Sequence, residues 1–265
     1  VTAIMGILNV TPDSFSDGGR YVDVDVAVGH GIELRAAGAD IIDVGGESTR
    51  PGAERVEAEV ERTRVLPVIE ALAARGFVVS VDTMNAATAA AAVAAGARIV
   101  NDVSGGLADD DMFAAVAPTD ADIVIGHWRG HSADMYATAR YDDVVAEVVA
   151  ELQDRIAAAA TAGIAPSRIV LDPGIGFGKR GEQNWTVLRH LDRVVGLGKR
   201  VLVGTSRKGF LADALEGDPE RARRDAATAV TSVLAAEAGA WGVRVHDVAA
   251  TRDALAVRRA WREGV

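Results

Sequence analysis

A single (β/α)8 TIM barrel, an α/β fold, is predicted by three features of the sequence. Eight short apolar runs recur along the 265 residues, a helical pattern follows each run, and each run ends on polar or charged residues. The runs are almost continuously apolar, as parallel strands covered on both faces should be. In order they are AIMGILN (3–9), DIIDVGG (40–46), FVVSVDT (77–83), RIVNDVS (98–104), DIVIGHW (122–128), RIVLDPG (168–174), RVLVGTS (200–206) and WGVRVHD (241–247). The clearest helix runs from Asp143 to Ala162, where Val144, Val145, Val148, Val149, Leu152 and Ile156 follow helical spacing and Gly163 is placed to end it. A weak repeat supports the count of units. Ala37-Gly38-Ala39, Ala95-Gly96-Ala97 and Ala238-Gly239-Ala240 each close a helix just before a strand. A doubly wound open sheet is the competing arrangement. It would carry a glycine fingerprint after its first strand, where this chain has NVTPDSF.

Composition narrows the function class. Hydrophobic residues make up 49% and mean hydropathy is +0.14, enough for a large core in one domain spanning 1–265. No apolar run approaches the ~20 residues that span a bilayer. The N-terminal stretch lacks a basic leader, so no signal peptide is expected. There are no cysteines, which excludes disulfides and thiolate metal sites and fits a cytoplasmic protein. A net charge of −10 argues against nucleic-acid binding and reads as a solvated surface.

The ends of the runs carry the functional signal. They present Asn9, Asp43, Asp82, Asn101, His127, Asp172, Ser206-Arg207-Lys208, and Arg244 with His246. In this fold such residues converge on the C-terminal mouth of the barrel. Arg50, Arg207, Lys208, Arg244 and His246 form a cationic set on an acidic protein, which suits an anionic ligand group. Asp82, Asn101 and Asp172 suit a flat polar heterocycle with several N–H donors. The segment NVTPDSFSDGG (9–19) is long for a strand-to-helix connection, which marks it as functional or disordered.

Other chemistries fail on spacing. Gly178-Lys179 is followed by Arg180 and has Pro173 where a Walker A loop needs its first glycine, and GIGFGK is not a dinucleotide fingerprint. His127 and His131 are the one close histidine pair, and His131 falls in a loop, so a zinc site is not expected.

Seven motifs together resemble the dihydropteroate synthases. They are NVTPDSFSDGG (9–19), GESTRPG (46–52), Asp82-Thr83, NDVSGG (101–106), DPGIGFGK (172–179), TSRK (205–208) and RVHD (244–247), all in the family's order. The resemblance implies condensation of 4-aminobenzoate with dihydropterin pyrophosphate, with Mg²⁺ as cofactor and sulfonamides as competitors. It implies that Asp172 accepts the pterin's 2-amino and ring N–H groups, with Asn101 beside it, and that Asp82 takes another ring N–H. Lys208 is implied at the pterin carbonyl and Phe177 as a pocket wall. Asn9 is implied as the Mg²⁺ ligand, with Arg50, Arg244 and His246 on the diphosphate. Ser206, Thr49 and Pro51 are implied around the aminobenzoate. Arg207 is expected among the substrate-binding residues, the alternative being that it points outward and covers the site as a gate.

The same resemblance makes the loops after strands 1 and 2 long mobile lids. Phe15 would close the aminobenzoate pocket and Asp17 would face a cationic pterin intermediate. A homodimer is implied, with Trp241 and Trp261 serving core or interface. A pterin-dependent methyltransferase would have no use for an aminobenzoate pocket. A catalytically silent paralogue should have lost GESTRPG or TSRK, and both are intact. Many members carry Met where this chain has Gly126, so a looser pterin wall, tightened by Gly126→Met, is expected. Lys179 is expected on the rim, and Arg221 to Arg224 on a solvated helix face.

Overall fold

The computed structural model describes residues 1–11, 24–47, 56–130, 140–215 and 219–264. Eight parallel strands close into a barrel in sequence order: β1 (Ala3–Asn9), β2 (Ile41–Gly45), β3 (Val78–Asp82), β4 (Ile99–Asp102), β5 (Asp122–Gly126), β6 (Ile169–Asp172), β7 (Arg200–Val203) and β8 (Gly242–Val245). Every predicted run contains its strand, and the trailing polar residues fall at or just past the strand end. The helices are α1 (Val24–Ala37), α2 (Ala58–Ala73), α3 (Ala86–Ala94), α4 (Met112–Val116), α5 (Val144–Thr161), α6 (Gly181–Arg189), α7 (Leu191–Val195), α8 (Gly209–Asp213), α9 (Arg221–Glu237) and α10 (Val248–Glu263). Among the described residues no helix is long and apolar enough to cross a membrane.

Alternation along the strands divides the core in two. One set of buried side chains, including Leu8, Ile42, Val79, Val100, Ile125 and Leu171, faces outward against the helices. A smaller set, Met5, Ile41, Ile99, Val124, Val170 and Leu202, fills the barrel interior, with Trp241 packed beneath it. Because the period is two, the next inward positions toward the mouth are Ile7, Asp43, Asn101, Gly126, Asp172 and Gly204. Register adds the inward positions of the other two strands, since Gly45 pairs with Asp82 and Met5 pairs with Arg244. The barrel therefore changes within one step from aliphatic plug to polar cup.

Helix ends follow the sequence chemistry. Asp143 caps α5, its side chain accepting from Val145 N and Ala146 N. At the other end Gly163 takes φ +96° while Ile164 N donates back to Ala159 O at 3.0 Å. Gly38, Gly96 and Gly239 likewise have positive φ, as the small-residue repeat predicts. Gly96 is doubly constrained, because at φ +111° an added Cβ would lie 2.7 Å from Ala73 Cβ on α2.

Two substitutions separate backbone freedom from packing. Gly29→Ala within α1, where a Cβ meets nothing within 4 Å, is expected to raise stability by about 0.5–1 kcal/mol. Gly96→Ala is expected to lower it by about 1–3 kcal/mol. Urea unfolding midpoints of both variants against the parent check the two signs.

Candidate active site

The mouth is built around one guanidinium. Arg244 leaves the end of β8 pointing inward, and its Nε donates to Asp43 Oδ2 at 2.6 Å while Nη2 donates to Asp82 Oδ2 at 2.6 Å. Asn101 Nδ2 donates to the same Asp43 oxygen at 3.0 Å. Asp43 is wholly buried, and Asp82 and Asn101 are nearly so. These are strand residues, so their spacing is fixed by the sheet rather than by a loop.

Burial pushes the Asp82 carboxyl up to about 7; Arg244 pulls it down, and the neighbouring Asp43 and Glu61 charges add to the rise. Burial works against the Arg244 charge, but Asp43 and Asp82 outweigh it and hold its pKa above the ordinary arginine value. Only two of its five N–H donors are used on these carboxylates.

Opposite this cluster stands a second one. Asp172, at the end of β6, accepts from Gly174 N at 2.7 Å, which leaves its other oxygen toward the mouth. Burial raises its pKa, and Lys208 opposes the rise. Lys208 follows β7; burial lowers its pKa to about 8 against the pull of Asp172. Its ammonium donates to Ile175 O and lies 4.6 Å from the centre of the Phe177 ring. Glycine suits position 176, since φ +83° strains any side chain and a Cβ would sit 2.7 Å from Lys208 Cδ in its present position. Between the clusters Gly204 projects no side chain; a Cβ there would lie 3.8 Å from Arg244 Cβ and 3.9 Å from both Asp172 Oδ2 and Lys208 Nζ. That bare position opens the floor between Asp82, Asn101, Asp172, Arg244 and Lys208.

Ser206 and His246 close a third side, with Ser206 Oγ 2.8 Å from His246 Nδ1. Arg207 is turned away from them. It has a left-handed backbone (φ 57°) and a bidentate pair with Asp225 of α9 at 2.6 and 2.9 Å. The kink sends Ser206 to the mouth and Arg207 to the helix layer. Asn9 ends β1 half-buried, and its side chain has no hydrogen-bond partner among the described residues. Phe15, Asp17, Thr49, Arg50 and Pro51, with all of the two expected lids beyond residues 11 and 47, lie outside the described residues.

Three expectations need correction. His127 does not join the mouth. It follows inward-facing Gly126 by one residue, so alternation turns it outward, where Nε2 lies 3.0 Å from Glu151 Oε2 on α5. Lys179 is not on the rim but 1% exposed, drawn inward by three acceptors. Gly126 leaves no vacant wall. A Cβ there would lie 2.4 Å from Val103 O, so Gly126→Met would displace backbone instead of tightening a pocket. Asp43, which the sequence placed at a strand end without a role, joins Arg244 to Asn101 by accepting from both, and strand parity with Asp82 and Asn101 was the available signal. Arg221 and Arg223 do lie on an exposed face, and Arg224 is half-buried. Trp241 belongs to the barrel floor, whereas Trp261 is 87% exposed.

Comparison with known proteins agrees with this geometry. Residues 5–246 match the family described as "Pterin binding enzyme". The dihydropteroate synthase of Mycobacterium leprae is 52% identical over 263 residues, covering 97% of this chain and 93% of that one. A structure of Xanthomonas albilineans dihydropteroate synthase with 4-aminobenzoic acid superposes with a TM-score of 0.91 at 48% identity, covering 98% of this chain and 93% of the other. A Yersinia pestis dihydropteroate synthase with a sulfonamide drug gives 0.92 at 39% identity, covering 99% and 94%. With the motifs in order and the whole barrel shared, the chain belongs to the pterin-binding enzymes and, among them, to the dihydropteroate synthases.

Proposed function

We propose that this protein condenses 4-aminobenzoate with (7,8-dihydropterin-6-yl)methyl diphosphate, giving 7,8-dihydropteroate and diphosphate for folate biosynthesis. The observation that carries this reading is the open floor at Gly204, with Asp82, Asn101 and Asp172 as acceptors and with Arg244 and Lys208 beside it. A flat heterocycle with N–H groups on one edge and an anionic tail fits such a cup. Asp172 and Asn101 would take the 2-amino and ring N–H groups, Asp82 a further ring N–H, and Lys208 the carbonyl side, with Phe177 as the wall. The unused donors of Arg244, with His246 and Arg50, would hold the diphosphate. Ser206, Thr49 and Pro51 would border the aminobenzoate, where sulfonamides compete. Arg207 would gate the site from its anchor on Asp225.

The chemistry then follows from charge. The methylene C–O bond breaks and its electron pair leaves on diphosphate. The remaining cation spreads over the pterin ring, faced by carboxylates that burial makes strong partners. The neutral amine of 4-aminobenzoate supplies the electron pair of the new C–N bond, and its proton passes to water. Phe15 and Asp17 would close over this cation and keep water from it.

Asn9 fits a Mg²⁺ ligand, being a neutral hard oxygen donor with no competing side-chain partner among the described residues. When bound, Mg²⁺ would neutralise charge growing on the leaving diphosphate. Among the described residues no group of three His, Asp or Glu is placed to hold a metal. We propose a cytoplasmic homodimer of single pterin-binding barrel domains. The exposed Val230 and Leu234 of α9 and Val257 and Trp261 of α10 offer it an apolar face. Sedimentation of Leu234→Glu is expected to show a monomer where the parent shows a dimer.

Diphosphate release from the pterin substrate with Mg²⁺ should require 4-aminobenzoate. In Arg244→Ala it should fall by about 10²–10³. Bound pterin without release would instead indicate a silent paralogue. The pterin KM should rise as pH falls below about 7, because the ionised Asp82 is the acceptor and protonation removes it. Asp82→Asn should flatten that limb of the profile.

A further inference from the structure

Behind the Asp172–Lys208 cluster a chain of ionisable groups that no step above uses runs from the buried Lys179 and His127 to the half-buried Glu151 and Arg129. The Lys179 ammonium lies 2.8 Å from His127 Nδ1, 3.0 Å from Gly174 O and 3.2 Å from Phe177 O. Three donors meet three acceptors, so a protonated Lys179 is satisfied. Burial, then the Lys179 charge, lowers His127 to about 4, so its ring is neutral. Nδ1 therefore accepts from Lys179, while Nε2–H donates to Glu151 Oε2. Arg129 holds Glu151 in place, reaches Glu147 at 2.7 Å and lies 3.8 Å over the Tyr141 ring. The Tyr141 hydroxyl returns to the same turn, donating to Gly178 O at 2.9 Å.

We propose that Lys179 is a positioning residue for the pterin subsite, its ammonium tying the Gly174 and Phe177 carbonyls to His127 and Glu151 and so fixing the Phe177 ring and the Ile175 carbonyl against Lys208. This rests on the reading of Asp172, Phe177 and Lys208 as the pterin end. The turn needs such a clamp. Gly174, Gly176 and Gly178 all have positive φ, so it is costly to order. Lys208 cannot serve as the clamp, because it must be free to turn from Ile175 O to a ligand.

The clamp is sensitive to pH. Around Lys179 stand Asp172 from β6, Lys208 after β7, Glu151 from α5, and His127 and Arg129 between β5 and α5, with Tyr141 beside the His127 ring. Burial lowers its pKa to about 7, helped by Lys208 and Arg129 and opposed by Asp172 and Glu151. Once deprotonated it has two N–H groups for three acceptors, so the clamp is complete below that pH and weakens above it.

Steady-state kinetics of the Mg²⁺-loaded protein across pH, with dihydropterin diphosphate and 4-aminobenzoate, test this. Lys179→Met is expected to raise the pterin KM about tenfold while the 4-aminobenzoate KM stays within about twofold. The first alkaline rise in the pterin KM should be missing in that variant. Glu151→Gln should move the rise to lower pH, since the Glu151 charge supports the ammonium; a role in packing alone would not move it. If Lys179→Met fails to fold, Glu151→Gln carries the test. An unchanged pterin KM in Lys179→Met, equal rises in both KM values, or an unmoved limb in Glu151→Gln overturns the proposal. If the parent forms no product, the assigned reaction is what fails, and calorimetry with dihydropterin diphosphate on the same variants then reads the clamp directly.

Discussion

Two carboxylates, Asp43 and Asp82, are buried on adjacent strands, and a single guanidinium from the far side of the closure joint between β1 and β8 bridges them. Removing one partner of such a buried set leaves an uncompensated charge, at a cost of about 3–5 kcal/mol. The arrangement requires a closed barrel. Only closure brings residue 244 to residues 43 and 82, and only inward alternation points all three at each other. The Asn101 amide completes the set by donating to Asp43. The wall of hydrogen-bond acceptors is thus preorganised by strand geometry before any ligand arrives.

The opposite wall is made differently. It is a turn of three positive-φ glycines after β6, which can approach Lys208 closely because it has few side chains to obstruct it. The same freedom leaves it little stiffness of its own. Stiffness comes from behind, where a buried lysine donates to two of its carbonyls and is itself held by a neutral histidine that donates to a carboxylate on α5. One wall is therefore held by strand register and the other by a side-chain network, and the two meet across Gly204.

The sequence displayed much of this. Eight apolar runs contained all eight strands because a strand buried on both faces must be apolar throughout. Glycine caps before three strands were readable because positive φ has few tenants. Asp82, Asn101, Asp172, Ser206, Lys208, Arg244 and His246 were legible because a polar residue at the end of an apolar strand points to the mouth; Asp102 shows the other use, ending β4 on its outward face and accepting from Ser104 and Gly106 of its own loop. His127 was misassigned by the same rule, applied without counting parity from Gly126.

By itself, then, the sequence determined the fold, the end of the barrel that carries the site and the family, since these depend on local pattern and on motif order. Tertiary structure decided the direction each side chain takes and its partner. It sent Arg207 to Asp225, buried Lys179 under its own turn and made Asp43 the counterion of Arg244. A lysine next to three acceptors reads in sequence as a surface lysine. Its burial depends on carbonyls and an imidazole that only the packing of β5, α5 and the turn after β6 brings within reach.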